Sequence, residues 1–294
     1  MDTPQIAAPA RSTPVICLLT GATVWGLVWY PYRVLEAQGM SGIESSILTY
    51  LVAFLIGFGL WHKKLRGVPL HPMLFAVGLA AGACNLGFVM GTLLGEVTRV
   101  LLLFYLSPLW TVIFARLLLG ERLSPTGALI IAISLAGAGV MLWDPHLGMP
   151  LPRSTAEWLG LGAGICFSLS NVLIKKTSDL LIEQKVLAVF LGVIAWSVLF
   201  WFFFPGTRWQ LAPASWVMLC CVGMTLVFTN AVVQYAITHT RAAQAIVVML
   251  FELVVAAIAS WLLAGETLGL RDWIGGMLII GASLLSTRMG ADGH

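Results

Sequence analysis

Charge is what this sequence has least of. Of its 294 residues only 10% are Asp, Glu, Lys or Arg, while 59% are hydrophobic. A water-facing domain carries roughly 25% charged residues. A soluble globule of this size could not cover its surface with so few, so lipid must be the solvent for much of the chain. The five histidines, His62, His71, His146, His239 and His294, are scattered and form no ligand cluster. Cys17, Cys84, Cys166, Cys220 and Cys221 lie in apolar stretches, with neither disulfide-framework nor metal-ligand spacing. They read as small buried hydrophobes. No GxxxxGK[ST] loop is present, which excludes a P-loop ATP motor, and no HExxH or GxSxG frame marks a hydrolase. The net charge of +3 is too small to point to nucleic acid. The expectation is therefore no cofactor, no metal, no ATP and no enzyme.

What is present is apolar length. A spanning helix needs about 20 mainly apolar residues. Ten segments qualify: about 15–36, 43–61, 72–93, 97–119, 125–143, 156–177, 186–204, 214–238, 241–264 and 271–289. The Pro/Ala-rich stretch 1–14 and the tail 290–294 read as flexible termini. The first apolar run is longer than a signal-peptide core and continues through Trp25, Trp29 and Tyr30, so it reads as a retained span. Trp61, Trp143, Trp158, Trp209, Trp216 and Trp273 fall near span ends, where tryptophan anchors helices at the interface. Gly78-xxx-Gly82, Gly87-xxx-Gly91 and Gly160-xxx-Gly164 have the spacing that lets helix backbones approach closely.

The chain is also written twice. With residue n placed over n+145, one alignment runs without a gap from Val77 to Leu123. Asn85 falls on Asn230, and Leu117-Leu118-x-Gly120-Glu121-x-Leu123 falls on Leu262-Leu263-x-Gly265-Glu266-x-Leu268. The halves are 15–143 and 156–289. With both termini in the cytoplasm, eleven of the 16 Lys and Arg residues fall on the cytoplasmic side, as the positive-inside rule demands. Five spans per half is an odd number, so the halves cross the membrane in opposite senses. An inverted repeat serves alternating access, because each half can adopt the other's conformation.

The ten spans, the two halves, and the motif Pro108…Leu118-x-Gly120-Glu121-x-Leu123 with its echo at Gly265-Glu266-x-Leu268 resemble the drug/metabolite transporter superfamily, and within it the EamA-type exporters. Tyr105-Leu-Ser-Pro108-Leu-Trp110-Thr-Val-Ile-Phe is similar to the YddG-type exporters of aromatic and other amino acids. The resemblance implies an all-α membrane protein of two five-helix repeats around a central cavity. It implies export of small metabolites across a bacterial inner membrane. The partners expected are the lipid bilayer and a small-molecule substrate. A monomer is a complete unit, and a homodimer is the alternative.

Several residues are candidates for carrying transport. Glu252 stands in mid-span; a carboxylate there is expensive unless it faces the bundle interior. Proton coupling and binding of a substrate amine are its functional readings, and a hydrogen bond to Ser107, its repeat mate, is the structural one. Asn85, Asn230, Gln234 and Asn171 offer amide donors and acceptors to a cargo, or hydrogen bonds between helices. Trp25, Tyr105 and Trp110 lie within spans and serve either cargo stacking or packing. Pro31 and Pro108 interrupt their helices and are candidate hinges. Arg99 reads as a snorkelling arginine or a steering charge. The two Gly-Glu turns read as helix caps, with Glu near the N-terminus of the following helix. Drug-like cations are the alternative cargo, and a passive channel is the alternative mechanism.

Overall fold

The computed structural model describes residues 13–142, 151–204, 211–264 and 267–286. Trp143, Trp209, His146, His294 and the Gly265-Glu266 turn lie outside the described residues. Among the described residues the regular structure is entirely helical. The first span is α1 (Thr13–Leu27) followed by α2 (Trp29–Glu36). Spans two and three are α3 (Gly42–Leu65) and α4 (Pro72–Leu94). The fourth joins α5 (Val97–Phe104) to α6 (Ser107–Phe114) and a closing π-turn (Ala115–Leu119). Then come α7 (Pro125–Leu142), α8 (Thr155–Lys176), α9 (Ile182–Trp201) and α10 (Pro213–His239). The ninth span is α11 (Ala242–Met249) plus α12 (Phe251–Ala264), and α13 (Leu270–Leu285) is the tenth. Nine of these segments are long and apolar enough to cross a membrane, and α13 adds 16 residues.

Local chemistry sets the ends. The Ser41 hydroxyl accepts from the Glu44 N–H while the Glu44 carboxylate accepts from the Ser41 N–H, a capping box that starts α3. Pro72 and Pro213 occupy first helical positions, where a missing N–H is harmless. The seventh span corrects the sequence reading. It begins at Ile182, not 186, and so takes Lys185 into its first turn, fully buried. A cation at the edge of an apolar run reads as interfacial; only the neighbouring helix ends reveal why it is tolerated inside.

Side chains facing outward from the bundle are apolar. Leu55, Phe75, Leu117, Leu129, Leu262 and Met277 are all more than half exposed, which is what a lipid-solvated surface requires. Cys220 and Cys221 share that surface, correcting the expectation that all five thiols are buried. In lipid a small apolar thiol loses nothing by facing out. Trp158, Trp216 and Trp273 are exposed at helix starts.

The repeat is visible in the packing. α4 lies against α8 and α9, while α10, its counterpart, lies against α1 and α3. Exchanging the halves turns one set of contacts into the other. Gly78 and Gly82 admit the α9 backbone at Ala188 and Gly192, and Gly223, the mate of Gly78, admits Val52 and Ala53 of α3. Gly87 and Gly91 do the same for α8, and Gly160 and Gly164 for α5. Two glutamines repeat the relation at the bundle ends. Gln38 accepts from the Ala212 N–H at 3.0 Å, just before α10. Gln184 donates to the Pro69 carbonyl at 3.1 Å, just before α4.

A methyl group added at Gly192 would collide with the Gly78 carbonyl. Backbone on both sides leaves nothing to swing away. Gly192→Ala is expected to lower stability by about 1–3 kcal/mol, the usual penalty of overpacking, read as a lower unfolding midpoint in detergent. Gly139→Ala, with open space around its position, is the control expected to leave the midpoint in place.

Candidate transport site

Three spans are interrupted, two of them at equivalent points. The fourth breaks at Tyr105–Leu106 and the ninth at Leu250, and residue 105 falls on residue 250 in the repeat. The last regular hydrogen bonds match as well: Tyr105 N–H to Leu101 O at 2.9 Å, and Leu250 N–H to Ile246 O at 3.2 Å. Pro108 explains the first break, because it brings no N–H to the preceding turn. Its mate is Leu253, whose N–H turns instead to the Leu250 carbonyl at 3.1 Å. The ninth span therefore breaks without a proline. The first span breaks at Val28, three residues before Pro31.

The two breaks bring a pair of side chains together. The Tyr105 hydroxyl donates to Glu252 Oε1 at 2.7 Å. Glu252 thus faces the interior, as its cost in lipid demands, but its partner is Tyr105 and not Ser107. An aromatic cluster adjoins the pair through Phe104. Phe104 stands edge-on to Tyr105 at 5.2 Å, and Phe88 and Phe167 meet Phe104 at 5.3 Å and 5.4 Å. Cys84, beside Asn85 on α4, is within electrostatic range of Glu252. Tyr50 is within electrostatic range of both Cys84 and Tyr32.

The other predicted residues are placed as follows. Gln234 is buried with neither amide atom partnered by protein, and the Asn85 Oδ1, Trp110 Nε1, Ser107 Oγ and Thr111 Oγ1 atoms are buried in the same state. Asn230 is spent on its own helix, donating to Leu226 O at 3.0 Å, so it does not mirror Asn85. Asn171 is half-buried on α8. Trp25 packs against the cluster that holds Tyr50, Phe190 and Met249. Pro31 lies in α2, and Pro108 in the first turn of α6. No hydrogen bond joins Asn85, Asn230 and Gln234 to one another.

Charges that the sequence left at the periphery prove to be bonded. Arg99 is buried, not snorkelling. Its Nε donates to Glu157 Oε1 at 2.9 Å and its terminal nitrogen to Oε2 at 3.0 Å. The Glu157 carboxylate also accepts from the Arg153 N–H at 2.8 Å. At the opposite end of the bundle, Gly120 has a φ of 70° and closes the fourth span in the left-handed conformation. Glu121 does not serve the next helix. Its carboxylate accepts from the Ala242 N–H at the start of α11, at 3.1 Å, and pairs with Lys175 at 3.4 Å. Lys175 in turn donates to the Thr240 carbonyl. Lys185, missed as a structural element, donates to Ile174 O at 3.4 Å and to Thr238 Oγ1 at 2.9 Å. It thereby ties together the last turns of α8 and α10, where a cation is favoured.

A solved crystal structure superposes on the chain with a TM-score of 0.75, covering 95% of this chain and 99% of that one at 19% identity, which establishes a shared fold. An uncharacterized transporter of Pseudomonas aeruginosa is 26% identical over 214 residues, spanning 68% of each chain. The model of the EamA-like transporter family matches residues 12–143 and again 154–288. Two matches to one family unit, covering nearly the whole length, account for the repeat read in the sequence, and the chain belongs to the EamA-like transporter family.

Proposed function

We propose that this transporter is a secondary-active exporter of small metabolites, with amino acids, aromatic ones included, as its cargo. The observation that carries the reading is the Tyr105–Glu252 pair, held where two repeat-related helices break and flanked by an aromatic cluster. A carboxylate there can take a proton or a cargo ammonium. Buried groups without protein partners supply the polar contacts: Gln234 Nε2 and Trp110 Nε1 are donors for a cargo carboxylate, Asn85 Oδ1 is an acceptor for a cargo ammonium, and Phe88, Phe104 and Phe167 supply a surface for a flat side chain. The helix breaks give each half a pivot, so that one half rocks against the other. The excess of Lys and Arg supports a cytoplasmic position for both termini, and with them the Glu121 end of the bundle, and a bacterial inner membrane is the location that goes with this reading. A lone interior acid also suits drug-like cations, the second reading.

The test is flux in proteoliposomes with a panel of radiolabelled amino acids, with and without a pH gradient. Saturable movement of some members, accelerated by the gradient, is the expected result. Movement of organic cations and of no amino acid transfers the site to the second reading.

A further inference from the structure

The Glu121 end of the bundle is tied across three spans. Glu121 and Lys175 hold the fourth, sixth and ninth spans and the Thr240 carbonyl in one cluster. Thr240 and Ala242 are buried there, at 6% and 4% exposure. The same residues in the other half are Gly95 and Val97. Both are exposed, Val97 to 48%. Equivalent backbone is thus buried at one end of the bundle and exposed at the other. Between the Tyr105–Glu252 pair and the Glu121 end, α6 carries Ser107 and Thr111, buried and without protein partners for their hydroxyls. An interior polar stripe that leads from the candidate site to a clasp of charges is what a closed half-channel looks like.

We infer that Glu121 and Lys175 are gate-positioning residues, clasping the transport path shut on the Glu121 side, and that the structure is the state open toward the other face. The inference rests on the alternating-access reading, since a clasp has a function only where the path opens in turn on each side. Glu121 is suited to the task. Its carboxylate meets both a lysine and the N-terminus of a helix that must move, and both interactions vanish together when the ends separate.

The experiment places a single cysteine at either of two repeat-related positions in a full-length chain without other cysteines: Thr111→Cys on the clasped side, or Ala256→Cys on the open side. Each is challenged with a membrane-impermeant maleimide supplied to one face at a time. Adding Glu121→Gln is expected to raise labelling of T111C from the Gly120 face by about fivefold or more, a modest shift between two states, and to lower labelling of A256C from the opposite face. Lys175→Met, which leaves the hydrogen bond from Ala242 to Glu121 in place, is expected to act in the same direction and serves if Glu121→Gln does not fold. Unchanged T111C labelling in both variants overturns the inference. So does a rise at both reporters, which marks a loosened bundle and no gate. A rise at T111C with A256C unaltered overturns it as well, and the alternating-access reading with it, because the contact then shuts one end without opening the other in turn.

Discussion

Glu252→Gln is expected to abolish proton-driven export while leaving downhill exchange of the same cargo running. Glutamine keeps the size of the side chain and an oxygen that can accept from Tyr105, so the helix break and the adjoining aromatic cluster survive. What disappears is the ability to carry a proton. Uphill accumulation in proteoliposomes under a pH gradient then falls to the level of empty vesicles, while counterflow between equal pH values continues. If Glu252 instead binds the cargo ammonium, exchange falls too, because a hydrogen bond to a charged group is worth about 1.5–3 kcal/mol, or roughly 10–150-fold in apparent affinity. Active transport unchanged in the variant removes Glu252 from the mechanism under either role.

Breaking the Arg99–Glu157 pair is expected to have the largest effect on stability. Both side chains are about one-tenth exposed and the contact is two-pronged, the geometry in which arginine and carboxylate fit best. Removing one partner leaves a buried charge without its counter-ion, a loss of about 3–5 kcal/mol. Arg99→Ala should therefore lower the unfolding midpoint in detergent sharply, and Glu157→Gln should do so by taking the counter-ion from the guanidinium, which keeps neutral partners such as the Leu151 carbonyl. The double variant Arg99→Met with Glu157→Leu should recover much of the loss, since replacing both charges removes the desolvation burden as well as the attraction. A midpoint in Arg99→Ala equal to that of the parent chain would mean that water reaches the pair freely.

The fold was legible because lipid imposes a simple rule. Every span must be apolar and long, and the doubling of the sequence gave the halves their opposite senses. The mid-span position of Glu252 was legible for the same reason. Its partner was not. Tyr105 reads as one aromatic among many, and pairing it with Glu252 requires the relative height of two helices that composition does not specify. The break at Leu250 was hidden because proline is the only breaker that a single sequence announces; the signal available was the alignment of Leu250 with Tyr105. Arg99 was misjudged because an arginine near a span end usually reaches water, and its acid lies 58 residues away in the chain. Glu121 was assigned to the helix that follows it in sequence, when the helix it serves begins at Ala242.

The two broken helices are equivalent in position and unlike in content. Tyr105, Ser107 and Pro108 in one half stand where Leu250, Glu252 and Leu253 stand in the other. Swapping the halves' conformations therefore does not return the same molecule, and the two resting populations are unequal, by tenfold for every 1.4 kcal/mol between them. For downhill movement, detailed balance still demands the same ratio of maximal rate to half-saturation in both directions. Each of those quantities is free to differ between the faces. Such a carrier rectifies in its kinetics and not in its thermodynamics: it can bind tightly and turn slowly from one side, loosely and fast from the other, and still come to the same equilibrium.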